Sequence, residues 1–581
     1  MWQWGERWVR MSNGQRWSSV RCLFLREIME ALGSIHIHVV ACMCSAQSFK
    51  TVTMQVALLY WIDQDPGPTL WVTSTKDMAV KEMKGRIKPM FNDCEPVAQK
   101  MPTHRSMCTT REVYFPGGEF RITGCDSEAD LQTTPYRRLV LDEARSYPKG
   151  ALEMVGKRVR SFPHSFKKVI ISTPDEENDA LHKAYLEGTQ EVWHFRCRGC
   201  AHEQELKWGE AGVRGGVKWT TNEVTKKDGR WNYPELYKTL HYECEACGYE
   251  YWDIRSNGVD RVWFATQGRW IVNNHEAPKD YRSFAWNALL PPVPSWEDQL
   301  HEMLEAISAL SFGDFMPLKV WVTETDGKPW TPKMQYIGDQ KILLKRCADY
   351  DPLDTWQQEV DRCMTIDVQG KGGRHFWVVI RAWSWGGWSR LLFAGKVFTY
   401  EEIDKLVAEW NVPARNVLID SGHFAQEIYA AIMARRYQWK ALKGEDASHF
   451  LVDGVRVIWK RTYVDPMAGK VVQGRRPPLL PVFLFSKSAT VYMLLNMIEG
   501  EVGIWELPHK DEMSEDYKTQ VTAYEVRPET DKRGIQTMRI RSKRENHLAD
   551  CERMQLVFAA AKGFLAGEAA VEKPLIDVFA E

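Results

Sequence analysis

The sequence predicts an α/β protein made of two sheet domains with a small metal-organised insert between them. Three observations carry this. Short apolar strands alternate with helical segments from about residue 20 to 175, two Cys-x-x-Cys pairs interrupt the pattern, and a second alternation begins near Cys363. In the first stretch, Leu23–Leu32 reads as a helix and His36–Cys44 as a buried strand, followed by a polar loop and a helix through Trp61. Leu70–Thr73 is a strand, Lys76–Met90 a longer helix, and Arg138–Leu141 and Lys168–Ser172 are further short strands, the order of a doubly wound sheet. Residues 194–252 are polar, Cys-bearing and weakly periodic. Residues 271–355 are Trp- and Pro-rich and read as a linker with two or more helices.

The second unit opens with the strand Met364–Gln369 and two long alternating strands, His375–Trp385 and Arg390–Phe398, separated by Gly386-Gly387. Thr399 can cap a helix running to Trp410, with Glu401 and Glu402 in its first turn. Asn416–Asp420 is again a strand and Phe424–Arg435 a helix. Three strands, a helix, a strand and a helix is the opening order of a ribonuclease-H-like fold. The resulting boundaries are 1–190, 191–270, 271–355, 356–566, and a loose tail at 567–581.

The totals exclude several classes. A chain of 581 residues is too long for one core. At 44% hydrophobic and 26% charged it is ordinarily globular, and its net charge of −1 means that any nucleic-acid contact rests on local patches. No apolar run approaches membrane-spanning length, and Met1–Arg10 has no signal-peptide core. Thirteen cysteines, only four of them in spaced pairs, suit a reducing compartment. Core packing is the plain reading of the 26 tryptophans.

Between the first strand and helix lies Cys44-Ser-Ala-Gln-Ser-Phe-Lys50-Thr51. A phosphate loop wraps the anion with backbone N–H groups, here those of Ser45, Ala46, Gln47 and Ser48, and continues as Gly-Lys-Ser/Thr. The two glycine positions hold Cys44 and Phe49. Lys50 can reach the β- and γ-phosphates and Thr51 can ligate Mg²⁺. Taken alone, the segment is better fitted by an ordinary helix start with a solvated lysine. Arg138-Leu-Val-Leu-Asp142-Glu143 weighs toward the nucleotide, since Asp142 at a strand end can hold Mg²⁺ and Glu143 can activate water. Ser172 and Thr173 close the next strand with hydroxyls able to couple hydrolysis to movement. Arg86 is a candidate charge-stabilising arginine or a surface residue.

Cys197-Arg-Gly-Cys200 and Cys244-Glu-Ala-Cys247 can close one tetrahedral structural Zn²⁺ site, with Gly199 and Gly248 suiting the tight turns. In the second unit, Asp367 and Asp420 end strands that are neighbours in a ribonuclease-H-like sheet, where their carboxylates repel unless a cation lies between them. On a helix from Asn546 to Leu565, Asp550 shares an apolar face with Met554, Val557, Ala561 and Phe564, while Glu552, Gln555 and Lys562 point away. A pair of Mg²⁺ or Mn²⁺ ions could join Asp550 to Asp367 and Asp420 for phosphodiester cleavage. The alternative partner for Asp550 is Arg553. His423 and His547 lie nearby and either assist or pack. Lys532, Arg533, Arg539, Arg541, Lys543, Arg544 and Arg475-Arg476 form basic stretches able to hold a DNA backbone, or a solvated face.

In this order the features resemble the lambda-type, GpA-like phage terminase large subunits. The matching segments are Leu25–Leu32, Ser45-Ala-Gln with Lys50-Thr51, Gly124–Ser127 through Leu131, Leu141–Glu143, Ser172–Pro174, both Cys pairs, Gly268–Trp270, Ile366–Gln369, Ile419–Gly422 and Asn546–Asp550. The resemblance implies a P-loop NTPase-like parallel sheet at the N-terminus, a zinc-ribbon-like insert and a C-terminal ribonuclease-H-like nuclease domain. It further implies an ATP-driven translocase for double-stranded DNA with an endonuclease that cuts concatemers. Implied partners are a portal protein, a small terminase subunit and further copies of the chain, all in the host cytoplasm. Lys50, Thr51, Asp142 and Glu143 carry over as ATP and Mg²⁺ residues, and Asp367, Asp420 and Asp550 as metal ligands. The family usually has glycine where this chain has Phe49. Two other readings stay open, a repair helicase–nuclease and a zinc-stabilised DNA-binding or assembly protein whose nucleotide site has decayed.

Overall fold

The computed structural model describes all residues except 12–13, 128–130, 132–133, 149, 210–211, 228–229, 312–314, 332–340, 453–454, 468–477, 501–502, 531–535 and 566–581. Arg475, Arg476, Lys532, Arg533 and the tail from 567 therefore lie outside the described residues. The chain divides into two compact units, Met1–Ala306 with Met316–Thr331, and Ile307–Phe315 with Pro332–Glu581. None of the described helices is long and apolar enough to cross a membrane.

Unit 1 is built on a ten-stranded sheet. In chain order its strands are β1 (Val39–Cys44), β2 (Thr69–Thr73), β3 (Glu112–Phe115), β4 (Gly118–Gly124), β5 (Arg138–Asp142), β6 (Lys167–Ser172), β7 (Glu191–Arg196), β8 (Glu203–Glu205), β9 (Gly268–Ile271) and β10 (Tyr281–Trp286). The spatial order is β9-β7-β10-β1-β6-β5-β2-β4-β3, with β8 paired to β7. From β7 to β4 every pairing is parallel, while β3 and β9 are antiparallel edges. The central strands are continuous apolar runs because both faces are covered. Val40, Cys42, Val140 and Val169 face one core, and Ala41, Leu139, Leu141 and Ile170 the other. Parallel registers bring the carboxyl ends of β1, β5 and β6 to one edge, the usual ligand-binding edge of such sheets.

Strands β7, β8, β9 and β10 fall outside the span expected for this domain. Residues 281–286, read as linker, form β10 and pair with β1 along its length. Residues 191–196 and 268–271, read as insert, form β7 and β9 of the same sheet. A strand whose partner lies some 240 residues away has no local signature. The helix expected over Lys76–Met90 is present but irregular, with a π-helical segment, Met83–Ile87, between two α-helical ones.

Unit 2 has an eight-stranded sheet of β11 (Asp361–Gln369), β12 (His375–Trp383), β13 (Trp388–Val397), β14 (Val417–Asp420), β15 (Lys440–Glu445), β16 (Trp459–Val464), β17 (Leu480–Ser486) and β18 (Ile504–Glu506). The order is β16-β17-β15-β14-β11-β12-β13-β18. β11, β12 and β13 form an antiparallel meander, and β14 lies parallel to β11 on its other side. The turn at Gly386-Gly387 needs glycine, with φ of 71° and 73°.

The helix α1′ of this unit, His547–Ala561, corrects the amphipathic reading. Glu552, Gln555 and Lys562 do not point to solvent; all three are buried. Glu552 pairs with Arg381 at 2.7 Å and accepts from Tyr517 at 2.6 Å. Gln555 accepts from the Trp383 indole at 2.9 Å and donates to the Cys363 carbonyl at 3.0 Å. Lys562 lies 3.4 Å from Asp361. The helix packs between the sheet and the helices Lys487–Glu499 and Glu515–Val521, so its polar side needs partners rather than water. Because Arg381 and Glu552 are 0% and 1% exposed, Glu552→Ala is expected to destabilise unit 2 by about 3–5 kcal/mol, read from its denaturant transition.

Candidate functional site

The loop Ser45–Phe49 leaves the end of β1 and enters the helix Lys50–Gln64. Its shape is fixed from both sides. The Ser45 N–H donates to the Trp286 carbonyl at 3.1 Å and the Ala46 N–H to the Glu324 carbonyl at 2.7 Å, while Ser48 Oγ closes on the Ser45 carbonyl at 2.7 Å. The N–H groups of Ser45 and Ala46 are thus already used within the protein, unlike the expectation that they wrap phosphate. Ser45 does not line the cavity described below, whereas Ala46, Gln47 and Ser48 do.

Phe49 stands in the backbone conformation that suits the glycine the resemblance implies at this position. Its φ is 69°, in the left-handed region that costs a residue with a Cβ about 1–2 kcal/mol. The ring packs partly on the core and also lines the cavity. Phe49→Gly removes the backbone penalty and takes the ring out of the cavity. It is expected to tighten ATP binding roughly tenfold by calorimetry, about 1.4 kcal/mol; unchanged or weaker affinity contradicts this.

The cavity, of about 410 Å³, is lined by the loop, Lys50 and Thr51, and by Arg86, Glu143, Arg145, Thr173 and Glu324. Lys50 Nζ donates to Glu143 Oε1 at 2.6 Å. Burial pulls the Lys50 ammonium down, but Glu143 and Asp142 help hold it above its ordinary range. Burial first, then Glu143, pushes Asp142 up to about 7 against the pull of Lys50. A cation beside Asp142 would relieve that crowding. Ser172 accepts from the Arg145 N–H at 3.3 Å behind the wall, and Thr173 is on the wall with its hydroxyl lacking a partner among the described residues. Arg86 sits on the π-helical segment, 3.4 Å from Glu82 and largely exposed. Sequence reading missed Arg145 and Glu324, which pair at 2.9 Å. Arg145 is two residues past Glu143 and could have been found by proximity; nothing local signals Glu324.

In the insert, Sγ atoms of Cys197, Cys200, Cys244 and Cys247 all lie within 4.8 Å of one another. Cys197–Cys247 and Cys200–Cys244 are 3.8 and 3.9 Å apart. Four bonds of ~2.3 Å give a tetrahedral edge of ~3.8 Å, so the set fits zinc. Each knuckle turns through a left-handed residue directly after its second cysteine, Ala201 (φ 59°) and Gly248 (φ 74°). Gly248 is therefore the turn glycine expected, but Gly199 is not; added there, a Cβ would press on the Tyr249 ring at 3.0 Å. Gln204 on β8 donates to Cys244 Sγ at 3.1 Å and accepts from the Glu245 N–H at 3.0 Å, tying the cluster to the unit 1 sheet. Purified chain is expected to carry one zinc by elemental analysis. Cys244→Ser should lose that zinc and expose the insert to proteolysis, since structural zinc supplies on the order of 10 kcal/mol to such modules.

In unit 2, the registered pair Ile366–Ile419 sets Asp367 and Asp420 side by side as the next residues of neighbouring strands. Burial first, then Asp367, pushes Asp420 up to about 6. His547 Nδ1 lies 2.9 Å from Asp367 Oδ2, and this bond raises the imidazole above its ordinary value; the ring stacks on Trp377. Gln369 also donates to Asp367, at 2.8 Å. Asp550 senses Asp367 electrostatically, but its Oδ1 is held by Arg553 and the Tyr524 hydroxyl, and Asn546 donates to Oδ2 at 3.3 Å. The alternative partner Arg553 is thus present. Among the described residues the four cysteines form the one close group of three or more potential metal ligands, and the three aspartates do not form a second. The basic stretch is partly neutralised. Lys543 pairs with Glu525 at 2.6 Å, Arg541 with Glu529, and Arg544 donates to Thr522, while Arg539 is exposed.

Comparison with known proteins gives consistent matches. A family model described as phage terminase large subunit gpA, ATPase domain, matches residues 12–270, and one described as terminase large subunit gpA, endonuclease domain, matches 281–567. The large terminase subunit of Escherichia phage lambda is 24% identical over 396 residues, covering 64% of this chain and 57% of that protein. That of Enterobacteria phage P21 is 23% identical over 367 residues, covering 58% and 52%. The chain thus spans a little over half the length of these relatives. Among solved structures, the HK97 bacteriophage large terminase matches with a TM-score of 0.34, 11% identity and coverage of 95% and 98%. The large terminase of thermophilic bacteriophage D6E gives 0.32, 10%, 94% and 100%.

Proposed function

The chain belongs to the gpA family of phage terminase large subunits, and from that premise we propose that it packages DNA: ATP hydrolysis in unit 1 moves double-stranded DNA into a procapsid, and a metal-dependent endonuclease in unit 2 cuts the concatemer. The observation that carries the motor reading is the meeting of Lys50 and Glu143 across the cavity at the ends of β1 and β5. Lys50 there binds the β- and γ-phosphates of Mg²⁺-ATP, Thr51 and Asp142 hold its Mg²⁺, and Ser172 and Thr173 sense the change. In the present structure Glu143 is spent on Lys50. A triphosphate that takes the lysine frees Glu143 to accept a proton from the attacking water.

For the nuclease, Asp367 and Asp420 are the first-choice ligands and Asp550 the third, once Oδ1 is released or through Oδ2. Mg²⁺ or Mn²⁺ bound there supplies an activated water and stabilises the leaving oxygen. His547 and Gln369 hold the Asp367 carboxylate in place. Zn²⁺ in the four-cysteine cluster is structural. The proposed partners are a portal protein, a small terminase subunit and further copies of the chain, in the host cytoplasm.

The experiment is ATP hydrolysis by the full chain with and without double-stranded DNA. Stimulation by DNA that disappears in Lys50→Ala supports the motor; equal background turnover in both proteins favours an assembly protein with a decayed nucleotide site.

A further inference from the structure

Resting on the reading of this cavity as an ATP site, we propose that Arg145 is a second cation for the terminal phosphate, supplied by the same chain and held by Glu324 until a triphosphate arrives. Its backbone is anchored where the γ-phosphate is read. The Arg145 N–H donates to Ser172 Oγ, and Arg145 follows Glu143 by two residues, on the same wall of the cavity. Its guanidinium reaches Glu324 Oε1 at 2.9 Å with both side chains about one-third exposed, 34% and 36%. Ion pairs this open to water are weak and exchange readily. A terminal phosphate offers more charge and a bidentate acceptor that a guanidinium fits.

Glu324 is tethered at its backbone on the cavity wall. Its backbone carbonyl is pinned by the Ala46 N–H at 2.7 Å, at the end of the helix Met316–Glu324. Loading therefore exchanges partners rather than moving the pair together. The cavity also carries an unmet donor beside this position. The Thr173 hydroxyl, on a residue of the wall, is buried and without a hydrogen-bond partner among the described residues. Lys50 and Arg145 are then parallel devices, each paired with a carboxylate, Glu143 and Glu324. Arg86 is placed differently. It is 61% exposed, engages Glu82, and also lines a separate cavity beyond Thr51 and Val52.

The test is calorimetric binding of Mg²⁺-ATPγS and Mg²⁺-ADP to the full chain and to Arg145→Ala, Arg145→Lys and Glu324→Gln. The expected result for Arg145→Ala is about tenfold or more weaker ATPγS binding, with ADP affinity unchanged. Arg145→Lys should recover part of the loss, and Glu324→Gln should bind ATPγS at least as tightly as the natural chain. Equal losses for both nucleotides, or no loss for either, overturn the assignment. Failure of the natural chain to bind either nucleotide overturns the ATP-site reading itself.

Discussion

Glu143→Gln is expected to lower DNA-stimulated ATP hydrolysis by about 10²–10⁴-fold while leaving ATP binding intact or tighter. The amide cannot accept the proton of the attacking water. It also releases Lys50 from its resting 2.6 Å ion pair, so the lysine meets the triphosphate without first breaking a contact. Substitution of Lys50 should behave differently, losing binding as well as turnover. A steady-state series separating kcat from KM checks this. A Glu143→Gln protein that hydrolyses ATP at the natural rate removes Glu143 from the chemistry. The raised pKa of Asp142, about 7, agrees with a carboxyl that waits for a cation before it ionises fully.

The second large effect concerns unit 2. Asp367→Asn is expected to reduce Mn²⁺-dependent cleavage of plasmid DNA by about 10³-fold or more, the scale at which removal of a charged catalytic group acts. ATPase activity should be unaffected by this change. Asp420→Asn should act similarly, because burial and then Asp367 push Asp420 up to about 6, a crowding that a cation shared by the two carboxylates would relieve. Asp550→Asn is the discriminating member of the set. If Asp550 serves chiefly as the partner of Arg553 and Tyr524, the amide costs stability and leaves most cleavage in place. If it is the third ligand, cleavage falls as far as with Asp367→Asn. A full-strength nuclease after Asp367→Asn removes the site as drawn.

Much of this was legible from local pattern. The apolar runs that bring Asp142 and Asp420 to strand ends, and Asp367 within two residues of one, are local signals, because a strand buried on both faces reads as a continuous apolar run. The cysteine pairs were legible for the same reason, as spacing and ligand chemistry are local facts. What was not legible depends on distant partners. β10 completes the sheet beside β1 from 240 residues downstream. Glu324 reaches the phosphate loop from still further away. Periodicity placed the polar residues of the helix His547–Ala561 in solvent, because it has no means of knowing that Arg381, Trp383 and Asp361 would meet them. The glycine exception at Phe49 was visible as a discrepancy, but only the left-handed backbone at φ 69° gives its physical cause.

The most direct test of the account is an anomalous-scattering map from crystals of the full chain soaked in Mn²⁺. The account predicts a peak shared by the Asp367 and Asp420 carboxylates, at ordinary metal–oxygen distances of about 2.0–2.3 Å. An ordered sheet with both carboxylates clearly defined and no manganese between them at millimolar Mn²⁺ contradicts it.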